Sequence, residues 1–142
     1  MYAAKTTVSI EKTRMEIERM LTRFGAVKMA TLVEMNMAVI IFEAKERRLK
    51  FSLPLPVKYP NAAKLEQQRR SRWRGLFLCI KAKLESVESG IESFEEAFLS
   101  HVVTADGQTV YDHVKAPIAS SYKTGNMVPL LPGPHRGGPE VD

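Results

Sequence analysis

Apolar spacing along this chain runs from helical to alternating and back to helical. Ile17, Met20, Leu21 and Phe24 recur at intervals of three and four, the period that gathers side chains on one face of a helix. Thr13 stands three residues before Glu16. That is a capping-box pair, and it predicts a helix starting near Arg14. Gly25 follows the last apolar position and suits a left-handed stop. Upstream, "TTVSI" alternates through Val8 and Ile10, which predicts a short edge strand.

The period then changes. "AVKMATLVEM", "MAVIIFEAK" and "RRLKFSLPL" read as three strands. In the third, Leu49, Phe51, Leu53 and Leu55 fall on one side, with Arg48, Lys50 and Ser52 on the other. Strand side chains alternate faces, so this strand should have a dry side and a basic side. Pro54 and Pro56 end it, because proline cannot donate to a ladder. The connections near Glu34 to Asn36 and Lys45 to Arg47 hold no Asn-Gly or Asp-Gly pair, so turn chemistry does not set the register.

After the connector "PVKYPNAAKLEQQ" the helical period returns. Trp73, Phe77, Ile80, Leu84 and Val87 are spaced four, three, four and three, and Leu76 widens the stripe. Gly90 should end this helix. Ser93 with Glu96 is a second capping box, opening a short apolar face of Phe94, Phe98 and Leu99. "VVTADGQTV" carries an Asp-Gly turn between apolar ends and predicts a small hairpin. Pro117 suits the first turn of a last helix that Gly125 would close. The expected fold class is α+β: a three-stranded antiparallel sheet packed against one long helix and a shorter N-terminal helix, with a C-terminal helical and hairpin extension.

The chain of 142 residues suits one domain, expected over 1–132. Residues 133–142, rich in Pro and Gly, are expected to be disordered. The longest uninterrupted apolar run, Met37 to Phe42, is too short to cross a bilayer, and the N-terminus shows no apolar signal region. A single cysteine, Cys79, excludes an internal disulfide and a cysteine zinc site. Its place in an apolar run suggests a small buried hydrophobe in a reducing, cytoplasmic setting.

Catalysis finds little support. His101, His113 and His135 have no H-E-x-x-H spacing. His101, Asp106, Asp112 and His113 would meet only if the small hairpin folded back. No catalytic residue, metal ligand or cofactor is assigned, and the protein is not expected to be an enzyme.

Charge is the stronger signal. The net charge is +5, a weak preference for anionic partners. Arg69, Arg70, Arg72 and Arg74 crowd the first half of the long helix, and Arg47, Arg48 and Lys50 lie at the start of the third strand. Arginine binds phosphate through paired hydrogen bonds, so these seven are the candidate nucleic-acid-binding residues if the two groups adjoin. An acidic run of Glu85, Glu88, Glu92, Glu95 and Glu96 follows, and makes this part of the chain dipolar.

Four stretches, "TTVSIEKTRMEIERMLTRFGA", "RRLKFSLPLP", "RWRGLFLCIKAKLESVESGIESFEEAFLSHVV" and "MVPLLP", together resemble a family of small proteins common in bacteriophages and prophages. The likeness spans roughly Thr6 to Pro132. It implies a bacterial host cytoplasm as the setting and carries over no catalytic residue. Relatives often place a glycine in the turn between strands, whereas "AKERR" has none. The element order also matches the helix, three strands, helix arrangement of double-stranded-RNA-binding domains, without their loop lysine motif. The expected function is a phage accessory protein that binds nucleic acid backbone, in replication or recombination. The alternative is a phage inhibitor of a host defence complex, such as a CRISPR effector, acting by protein contact. A structural or assembly protein is a third possibility.

Overall fold

The computed structural model describes residues 2–133, so nearly all of the tail expected to be disordered lies outside the described residues. A 3-10 turn at Tyr2–Lys5 precedes helix α1 (Ile10–Phe24). Strands β1 (Lys28–Val33), β2 (Met37–Ala44) and β3 (Arg47–Pro54) follow, then helices α2 (Ala62–Glu88), α3 (Phe94–Phe98) and α4 (Val110–Thr124). The sheet is antiparallel in the order β1-β2-β3. The fold class is therefore α+β as expected.

Several boundaries differ from those the sequence suggested, and each has a local cause. Ser9 caps α1, its side chain accepting the Lys12 N–H at 3.1 Å. Thr13 has the same capping chemistry one turn later, but it lies inside the helix and is wholly buried. The stretch before Ser9 is irregular rather than an edge strand. Asn61 caps α2 by accepting the Lys64 N–H, so Ala62 to Gln68 of the supposed connector are helical. Thr109 and Asp112 form a capping box that starts α4 at Val110. Pro117 therefore falls inside α4, and Gly125 closes it in the left-handed conformation. Gly25 does the same for α1.

The core sits between one sheet face and the helices. β3 contributes Leu49, Phe51, Leu53 and, just beyond it, Leu55; β2 contributes Ala38, Ile40, Phe42 and Ala44. Facing them are Trp73, Leu76, Ile80 and Leu84 of α2 and Ile17 and Leu21 of α1. Phe98 of α3 meets Phe42 and Phe51 edge-on at 6.3 and 6.2 Å, a favoured aromatic geometry. Each large side chain buried here contributes about 1.5–3 kcal/mol of transfer free energy. Phe77 and Val87 pack at the margin of the stripe. Cys79 is exposed, contrary to the expectation of burial. At about 100° per residue it falls to the side of the Trp73–Ile80 seam.

The other sheet face is less basic than β3 alone implied. Arg48, Lys50 and Ser52 do point there. Alternation and register put Val39 and Ile41 of β2 and Ala30 and Leu32 of β1 on the same face. The β2–β3 connection is a two-residue turn, Lys45 and Glu46, with φ of 52° and 62°. The far edge of β3 is covered: Val103 donates its N–H to the Arg48 carbonyl at 2.8 Å, and Leu49 bridges Val102. Val103 also bridges Thr109. The segment read as a hairpin does fold back on itself around Asp106-Gly107, with the Thr104 N–H bonded to the Gln108 carbonyl and the Val110 N–H to the Val102 carbonyl, and its first arm is stitched to the sheet.

Candidate nucleic-acid interface

The seven basic candidates separate into three groups. At the β2–β3 end, Arg47 pairs with Glu95 of α3 at 2.9 Å. Arg48 pairs with Glu43 across the strand at 3.2 Å. Lys50 sits further along the same outer face, half-buried and outside any ion pair among the described residues. Against α1, Arg74 meets Glu16 at 2.6 Å and lies 4.2 Å above the Phe77 ring. Arg70 donates to Gln67 at 2.7 Å and stands 3.6 Å from Glu66.

The third group differs in kind. Arg69 donates to the Met35 carbonyl at 2.7 Å, and Arg72 donates through Nε to the Pro54 carbonyl at 3.1 Å. Met37 is the register partner of Pro54, so both guanidinium groups reach the sheet end formed by the β1–β2 turn and the end of β3. A carbonyl orients an arginine without cancelling its charge, whereas a carboxylate does both. Among the described residues neither Arg69 nor Arg72 has an ion-pair partner. From Arg48 to Pro54 the strand rises about 20 Å. The two ends therefore do not merge into one footprint, as a single continuous patch would require.

Three lysines missed in the sequence lie in segments that lead into α2 or pack against its first turns. Lys64 lies in the first turn of α2, where no acidic side chain opposes the positive helix terminus. Lys58 lies in the connector from β3. Lys5 is brought in by Gln67, whose amide donates to the Ala4 and Thr6 carbonyls at 3.1 and 2.9 Å. Reading Asn61 as the helix cap would have shown the position of Lys64. Lys5 depends on a tertiary contact that no local pattern encodes.

The acidic segment is only partly paired with cations. Glu95 holds Arg47, Glu92 accepts from Ser86 at 2.7 Å, and Glu96 caps α3. Glu85 stands 3.8 Å from Lys81. Hydroxyl and N–H donors leave a carboxylate's charge in place, so Glu92 and Glu96 stay negative, and Glu88 has no ion-pair partner among the described residues.

Of His101, Asp106, Asp112 and His113, only Asp106 and His113 meet. His113 Nε2 is 3.0 Å from Asp106 Oδ2 and 3.0 Å from Thr104 Oγ1. The Thr104 hydroxyl donates to Asp106, and that bond first, then the Gln108 N–H, pulls the Asp106 pKa down to about 2. Hydroxyl and carboxylate share one imidazole nitrogen, so the ring cannot relay a proton between them; the cluster ties the loop together. His101 stacks on Phe51 at 3.8 Å, and burial lowers its pKa. Asp112 caps α4, and the Thr109 N–H lowers its pKa. Among the described residues no three His, Cys, Asp or Glu side chains gather to hold a metal ion, and no helix is long and apolar enough to cross a membrane.

No protein-family model matches the chain, and no curated protein or solved structure matches it.

Proposed function

We propose that this protein is a non-enzymatic accessory protein that binds nucleic-acid backbone through the end of the domain where α2 begins. One observation carries this reading. Arg69 and Arg72 are tethered to main-chain carbonyls and keep their charge, while Arg47, Arg48, Arg70 and Arg74 are matched by Glu95, Glu43, Glu66 and Glu16. Holding two guanidinium groups in place lowers the ordering cost of binding phosphate. Lys58 and Lys64, in the connector and first turn that lead to Arg69, have no ion-pair partner among the described residues. Contacts of this kind read backbone rather than bases, so binding is expected to be independent of sequence. A phage or prophage setting is supported by the resemblance of the four sequence stretches.

Fluorescence anisotropy with labelled single- and double-stranded oligonucleotides tests the reading. Binding should weaken steeply with salt, because each phosphate contact releases counterions. The Arg69→Ala, Arg72→Ala double variant should reduce the magnitude of the log–log salt slope by about 2. Arg48→Ala should leave it near the wild-type value. Flat titrations at low salt would reject the reading.

A further inference from the structure

The two edges of the sheet are treated differently. The β3 edge is closed by Val102 and Val103. The β1 edge has no partner among the described residues. Exposed strand edges are normally blunted by proline, an inserted residue or a charge. Between Met29 and Val33 β1 has none of these. Leu32 is 64% exposed and Val33 49%; Val27, just before the strand, and Met35, two residues after it, are 77% and 76% exposed.

The hydrogen-bonding phase of the open side can be read from β2. Glu34 donates its N–H to the Met37 carbonyl at 2.7 Å, so Glu34–Met37 is a hydrogen-bonded pair. Alternation turns the backbone groups of Lys28, Ala30 and Leu32 towards β2. Those of Met29, Thr31 and Val33 face outward.

We propose that β1 pairs with β1 of a second copy, antiparallel about Thr31, to form a six-stranded sheet across a two-fold axis. The two-fold puts Thr31 opposite Thr31 and Met29 opposite Val33, in phase with the outward N–H and C=O groups. It puts Ala30 opposite Leu32, which extends the apolar outer face formed by Val39 and Ile41. It also puts Lys28 opposite Glu34, twice, so the only charges along the seam are complementary. Val27 lies opposite Met35 at each end. A register one step shorter, centred on Ala30, keeps the hydrogen-bonding phase but sets Lys28 against Leu32 and loses both charge pairs. The self-complementary surface that a two-fold interface needs is thus present in this strand, and a second copy is the occupant it fits.

Sedimentation velocity of the full chain over a concentration series tests this. Wild type should form a concentration-dependent dimer. Glu34→Lys sets lysine against Lys28 at both ends and should raise the dissociation constant about tenfold. Adding Lys28→Glu should restore it. Thr31→Pro removes a donor from the open side and none from the β1–β2 ladder, so it should give a monomer with wild-type circular dichroism. A wild-type monomer at every concentration would overturn the proposal, as would a dimer that Thr31→Pro leaves intact. A dimer broken by Thr31→Pro and Glu34→Lys but not rescued by the double variant would overturn the Thr31-centred register.

Discussion

Trp73 and Cys79 lie less than two turns apart on α2 and meet opposite environments. Trp73 is 1% exposed, with the Arg14 guanidinium 5.7 Å from its ring centroid. It is the chain's only tryptophan, so its emission should report on the α1–α2 core without interference. Cys79 is also unique, but it is exposed. The apolar run around it suggested burial because "GLFLCI" is continuous in sequence. A helix is read by angle, and the burial follows Trp73, Leu76, Ile80 and Leu84. One thiol per chain should therefore react with a water-soluble disulfide reagent under native conditions, as fast as in denaturant to within about an order of magnitude. A native reaction slowed far beyond that would mean the side chain is covered in solution.

Among the elements, the β2–β3 turn stores the most evident local strain. Both residues of its two-residue loop have positive φ, the conformation that matches the twist of a hairpin and favours Asn-Gly. Lysine and glutamate adopt it at a cost of about 1–2 kcal/mol per residue. The ladder on either side, with Ala44 opposite Arg47 and Phe42 opposite Leu49, imposes it. Replacing Lys45 with Asn and Glu46 with Gly should stabilise the protein by about 1–2 kcal/mol in total, read as a higher denaturant midpoint at unchanged slope. No gain would mean that the turn relaxes in solution. The strands and the α2 stripe were legible because their periods run over many residues. The starts of α1 and α4 were not. Capping residues recur one turn apart at Ser9 and Thr13, and Thr109 competes with Pro117, so tertiary packing makes the choice. The apolar outer face was missed for a different reason: it emerges only when β1 and β2 are set in register beside β3.

Across the whole molecule, charge is organised by long-range pairing. Arg47 finds Glu95 and Arg74 finds Glu16 across 48 and 58 positions. The sequence therefore identified a basic cluster without showing which of its members keep their charge. The same pairing logic shapes the response to acid. Burial lowers the His101 pKa first and most, the Lys50 carbonyl opposes it, and Lys83 lowers it further. The unfolded chain then takes up the proton near 6.5 while the fold resists it. Stability from this group is complete above 6.5 and declines as pH falls from there through the lower folded value. Asp106 acts in a second window. Its folded pKa of about 2 lies below the ordinary 3.8, so its contribution is complete above 3.8 and is lost as pH falls to 2. Urea melts followed by Trp73 emission from neutral pH downward should show both declines. His101→Phe keeps a ring stacked on Phe51 and removes the titration, so it should flatten the upper decline alone. Asp106→Asn should shrink the lower decline and leave the upper one unchanged, the remainder belonging to Asp112 and Glu96, whose pKa values are also lowered. If His101→Phe left the upper decline unchanged, His101 would not be its source.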